Sequence, residues 1–137
     1  MQPIAGGRRP VTEGEGRGKV LLVAADWRTR ALLLAELKEA GYDVMALPGI
    51  RWALAALAGG RVVPVLAVLD VTGDADASPA RVRQLLRLLG DAPLVLLVGT
   101  YDVQVFAPLR GRVAAWLSRP LRLARVVEAV RWLYPPP

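Results

Sequence analysis

Short unbroken apolar runs alternate along this chain with stretches in which apolar residues recur every third or fourth position. Lys19 to Ala25 (KVLLVAA), Val65 to Leu69 (VLAVL) and Leu94 to Val98 (LVLLV) have the length and character of strands covered on both faces. Tyr42 to Leu47 (YDVMAL), ended by the turn-forming pair Pro48-Gly49, and Val113 to Ser118 read as two further strands. Between them lie helices. Asp26 stands where an N-cap belongs, Leu33, Leu37 and Ala40 follow at helical spacing, and Gly41 supplies a stop. Trp52 to Ala58 forms a short helix closed by Gly59-Gly60. The clearest helix has Ser78 as cap, Pro79 in its first turn, Val82, Leu85, Leu86 and Leu89 on one stripe, and Gly90 at its end. Leu123, Val126, Val127, Val130 and Leu133 mark the last helix, which Pro135 to Pro137 terminate. Thr100 to Gly111 is less readable, because Pro108 limits a helix begun near Asp102 to a turn or two. No internal repeat is visible.

Five buried strands alternating with helices predict an α/β, doubly wound, five-stranded parallel sheet, since right-handed crossovers place helices on both faces. Residues 1–18 hold five Gly and two Pro with no apolar period and read as a flexible leader; residues 19–137 form the domain. In this architecture ligands collect at the carboxyl ends of the strands, beside the point where strand order reverses. That singles out Ala24 to Asp26, Asp70 to Gly73, Val98 to Tyr101 and Ser118 to Pro120.

The chain has 137 residues, 54% apolar, which suits one domain with a real core. It contains neither Cys nor His, which excludes disulfides, thiol nucleophiles, serine–histidine catalysis and zinc sites of the usual kinds. The net charge of +6 rests on 18 basic residues, nearly all Arg, scattered along the chain, and speaks first to solubility. Arg8-Arg9 is followed by Glu13, Glu15, Arg17 and glycines where an export signal needs an apolar stretch, so a cytoplasmic location is expected. The apolar region Val44 to Leu69 is broken by Pro48, Arg51, Gly59-Gly60, Arg61 and Pro64, so no membrane association is expected.

Three segments, LLVAADWRTRALLLAELKEAGYDV (Leu21 to Val44), LAVLDVTG (Leu66 to Gly73) and AAWLSRPL (Ala114 to Leu121), resemble the receiver domain of bacterial two-component response regulators. The resemblance covers residues 19 to 134. It implies a flavodoxin-like fold with strand order 2-1-3-4-5, a non-enzymatic signalling role in a phosphorelay, and a phosphoacceptor at Asp70, which closes the third strand. Receivers also carry two adjacent acids after the first strand that hold Mg2+; here those positions are Ala24 and Ala25. The Thr or Ser that ends their fourth strand is matched by Val98, and the small residue after it by Gly99. Their Lys-Pro pair, typically joined by a cis bond, is Arg119-Pro120 here, and the aromatic before it is Trp116. The segment matching the fourth helix looks shortened.

These departures change the chemistry. Mg2+ is strongly hydrated and needs anionic ligands, so Asp70 and a backbone carbonyl such as that of Thr72 leave it little to bind. No cofactor is therefore expected, with Mg2+ implied only if Asp26 or Asp74 substitutes for the missing acids. Asp26 is expected to cap its helix instead, and Asp74 and Asp76 to be solvated turn residues. Asp70 is expected to pair with Arg119, whose planar fork favours a fixed contact over a reactive one. The resemblance thus implies a degenerate, pseudo-receiver-like module acting through protein contacts. Arg110, Arg112, Trp116, Arg122, Arg125 and Trp132 are the candidate interface residues, since receivers commonly pair through the fourth helix, fifth strand and fifth helix. An ordinary solvated face with one half-buried Trp is the plainer reading of that surface. Another signalling protein or a second copy is the expected partner, because no effector domain follows residue 137. A phosphoaccepting receiver is the rival reading. Nucleic-acid binding through the Arg residues is weaker, since no helix-turn-helix pattern or dense basic run accompanies them.

Overall fold

The computed structural model describes residues 17–137. Five strands, β1 (Arg17–Ala24), β2 (Val44–Leu47), β3 (Val63–Asp70), β4 (Leu94–Val98) and β5 (Ala115–Ser118), form one sheet in the order β2-β1-β3-β4-β5. Every pairing is parallel. The connections are α1 (Trp27–Glu39), α2 (Ile50–Ala58), α3 (Pro79–Leu89) and a four-residue α4 (Val103–Phe106) that tightens into a 3-10 segment (Ala107–Arg112); α5 (Leu123–Leu133) follows β5.

Alternate side chains of each strand serve opposite layers, and both layers are apolar, which is why the central strands read as unbroken apolar runs. On one face Leu21, Val23, Leu69 and Leu96 pack against Ile50 and Ala53 of α2, Val82 and Leu85 of α3, and Phe106 of α4. On the other, Val20, Leu22, Val68 and Leu97 meet Leu33 and Leu37 of α1 and Val126 and Val130 of α5. The register sets Ala24 beside Asp70 and Val98 beside Ser118, so the carboxyl ends of β1, β3, β4 and β5 open at one edge.

Several boundaries differ from expectation. Of the expected leader, residues 1–16 lie outside the described residues, whereas Arg17 and Gly18 belong to β1, where Arg17 stands opposite Val63. That same pairing carries β3 back to Val63, with Pro64 tolerated near its first residue. β1 stops at Ala24, leaving Ala25 in the turn. Tyr42 is not in β2 but in the short link before it, buried, with its hydroxyl donating to the Tyr134 carbonyl at 2.6 Å. β5 begins at Ala115 instead of Val113. α2 starts two residues early, at Ile50, because Asp74 caps it from another loop.

Candidate functional site

Asp70 closes β3 with 1% of its surface exposed, the one buried charged residue of the described core. Its Oδ1 accepts from the Thr72 amide at 3.0 Å, and its Oδ2 accepts from Nη2 of Arg119 at 2.6 Å. Nε of the same guanidinium donates to the Thr72 hydroxyl at 3.4 Å, which closes a ring of Asp70, Thr72 and Arg119. The expected Asp70–Arg119 pair therefore forms, and the peptide bond between Arg119 and Pro120 is cis, as the resemblance implied. Burial pushes the Asp70 carboxyl above the usual carboxylate range, against the opposing pull of the Thr72 bonds and the Arg119 charge. One hydrogen-bonded ion pair at a strand end thus carries the polarity of an otherwise apolar core.

An open cleft of about 450 Å³ lies over this ring, lined by Ala25, Asp26, Thr29, Thr72, Gly73 and Arg119. Ala24 is buried beneath it and contributes only a carbonyl, which accepts from Nη1 of Arg30 at 2.7 Å. Asp26 reaches the cleft, but its Oδ2 takes both the backbone N–H (2.9 Å) and the hydroxyl (2.8 Å) of Thr29, which hold its carboxyl below the usual range. Asp74 is occupied as well: Oδ2 accepts from the Ile50 amide at 2.8 Å and Oδ1 from the Asp76 amide at 3.1 Å. Gly49, at the N-cap of α2, has no side chain to do this. Asp74 is therefore a cap supplied from a distant loop, not the solvated turn residue expected, and Asp76 pairs with Arg81 at 3.2 Å.

These residues do not fit a divalent cation. Mg2+ asks for several oxygen ligands around an anionic centre. The two positions that would supply carboxylates are methyl groups, both oxygens of Asp70 are already engaged, and a guanidinium already sits beside Asp70. Asp26 would have to give up the cap of α1 to take part.

Val98 is fully buried at the end of β4 and offers no hydroxyl to the cleft. The Thr72 hydroxyl does line the cleft, and a Cβ on Gly99 would come within 3.1 Å of it and 2.8 Å of the Asp102 carboxylate. Asp102, which sequence reasoning passed over, accepts from the Gly99 amide at 3.1 Å and pins the β4–α4 turn. Its signal was an Asp three residues after a Gly at a strand end. Arg30 was passed over too; only its place one turn into α1, facing the strand end, could have marked it.

The structure gathers part of the expected interface. Trp116, Pro120, Leu121, Arg122 and Arg125 line a cavity of about 190 Å³, and the Arg110 guanidinium lies 5.2 Å from the Trp116 ring centre. Arg112 is exposed at the end of the 3-10 segment. Trp132 is 86% exposed, which corrects the half-buried Trp of the plainer reading, and it does not line that cavity because it falls in the last turn of α5.

No family model matches the sequence, and no curated protein matches it. Among solved structures, the receiver domain of a Francisella response regulator superposes with a TM-score of 0.71 at 17% identity, over 86% of this chain and 97% of that one. The signal receiver domain of an HD domain-containing protein from Pseudomonas fluorescens Pf-5 gives 0.71 at 21% identity, over 85% and 94%. This chain has the receiver-domain fold. An adenylate cyclase from Rhodopirellula baltica superposes on the receiver-fold chain with a TM-score of 0.74 at 16% identity, over 85% of this chain and 86% of that one. At these identities the likeness is one of backbone architecture. Among the described residues, no helix is long and apolar enough to cross a membrane.

Proposed function

We propose that this chain is a receiver-like signalling module, not an enzyme, in which an internal guanidinium takes the place of metal-dependent phosphorylation and output passes through protein contacts. One observation carries this reading: Oδ2 of Asp70 lies 2.6 Å from Arg119, with the carboxylate almost wholly buried. A phosphoryl donor has to displace that guanidinium to reach the nucleophilic oxygen, and nothing at Ala24 or Ala25 draws in a cation to neutralise the incoming phosphate. With Val98 in place of a hydroxyl, the receiver's own means of sensing a phosphoryl group is also missing. The contact surface that fits this reading is the one formed by Arg110, Trp116, Arg122 and Arg125, side-chain types enriched where proteins meet. The partner is another signalling protein or a second copy.

The test is intact-mass measurement after incubation with acetyl phosphate and Mg2+, with Asp70→Asn as control. No mass gain is expected. A phosphoryl adduct on the unmodified chain that Asp70→Asn abolishes would overturn the proposal in favour of a phosphoaccepting receiver, a reading supported by the position of Asp70 at the end of β3 and the cleft that opens above it.

A further inference from the structure

The outer face of α1 has an unusual composition for a surface helix. Leu33 and Leu37 point into the core, and the opposite side is expected to be polar. Instead Ala31, Leu32 and Ala35 are exposed there, Leu32 with 49% of its surface, and Trp27 stands 65% exposed at the helix start. Exposed Glu36 and Lys38 flank this face, and along its centre charge stands only at the two ends, with Arg28 in the first turn and Glu39 in the last. Both are exposed, and among the described residues neither forms an ion pair within the chain.

Arg28, Leu32, Ala35 and Glu39 follow one another at intervals of four, three and four, the spacing of a seam between two helices. We infer that the outer face of α1 is the docking surface for a second copy of this chain, with the two α1 helices antiparallel across a twofold axis. In that arrangement Leu32 of each copy meets Ala35 of the other, and Arg28 of each lies opposite Glu39 of the other. The small side chains of Ala31 and Ala35 let the helices approach closely. Charge selects the direction: a parallel pairing sets Arg28 against Arg28 and Glu39 against Glu39, whereas the antiparallel one satisfies all four charges. A twofold interface has to be self-complementary, and a face that is basic at one end, acidic at the other and apolar between meets that condition. The inference does not depend on how Asp70 is used.

Sedimentation equilibrium of the full chain over a range of concentrations tests it. A reversible monomer–dimer equilibrium is expected. Leu32→Glu sets two carboxylates on the axis and is expected to raise the dissociation constant by at least about 100-fold. Arg28→Glu and Glu39→Arg, each alone, are expected to weaken the dimer by about 10-fold, and the two combined in one chain to recover it to within about threefold. These positions are exposed, so circular dichroism should show native folding; should Leu32→Glu fail to fold, Ala35→Glu asks the same question. A chain that stays monomeric at all concentrations, a dimer that survives Leu32→Glu, or a double variant as weak as either single one would overturn the inference, the last two by placing the contact elsewhere or in another direction.

Discussion

Two aspartate–arginine pairs lie on the carboxyl-end side of the sheet, and their surroundings make them different objects. In the Asp76–Arg81 pair both side chains are about half exposed, at 46% and 49%, and the contact is 3.2 Å. In the Asp70–Arg119 pair the carboxylate is 1% exposed, the guanidinium 29%, and the contact is 2.6 Å. Water solvates both partners of the first pair whether or not they meet, so their meeting contributes little. In the second, the carboxylate has lost its water and depends on Arg119 and the Thr72 amide, while Arg119 can still turn toward solvent. The lesson is an asymmetry: Asp70 needs Arg119 more than Arg119 needs Asp70.

The sharpest way to break the comparison is Arg119→Met. It strands the buried carboxylate and is expected to cost about 3 kcal/mol in urea unfolding at neutral pH, with much of the loss recovered in acid, where Asp70 takes up a proton. Asp74→Ala asks whether a half-buried loop carboxylate gains weight once it works as a cap. It frees the Ile50 and Asp76 amides and should cost about 1 to 2 kcal/mol, read by thermal denaturation. Asp70→Asn should change stability by no more than about 1 kcal/mol at neutral pH, because the amide oxygen can still accept from Thr72 and Arg119 is free to leave. Its pH dependence is more telling. The folded-state Asp70 carboxyl lies above the ordinary value, so the folded chain keeps a proton that the unfolded chain has released. Unmodified protein should therefore lose stability relative to Asp70→Asn as pH rises from about 4, and level off once the folded carboxyl is ionised. Urea midpoints across that range would show it, and a difference that grows in the opposite direction would refute the sign. Arg81→Ala should shift the midpoint by less than about 0.5 kcal/mol.

The parts of the fold legible in the sequence are those decided locally. VLAVL and LVLLV are strands because each apolar run exceeds what one buried face requires, and Ser78-Pro79 announces α3 through chemistry contained in four residues. Misplaced boundaries were set by distant partners. Arg17 joins β1 because Val63 pairs with it, α2 begins at Ile50 because Asp74 reaches across from the β3–α3 loop, and Tyr42 leaves β2 to bond a carbonyl 92 positions later. The candidate site divides differently. Asp70 and Arg119, 49 positions apart, could be brought together through a known family pattern, whereas the short-range contacts of Arg30 with the Ala24 carbonyl and of Asp102 with the Gly99 amide carry only weak local signals, a cation one turn into a helix and an acid three residues after a glycine. Within Thr100 to Gly111, Pro108 did cut the helix short, and the residues after Phe106 tightened into a 3-10 segment that no periodicity announces.

The bond from the Tyr42 hydroxyl to the Tyr134 carbonyl fastens the tail beyond α5 to the corner between α1 and β2, and Pro136 packs within 3.5 Å of where a Cβ on Gly41 would stand. The tail is thus a buckle between the first and last helices, which share one face of the sheet. Whatever is grafted behind it, a purification tag or a fluorescent reporter, therefore starts beside the heel of α1 and not from a free helix end.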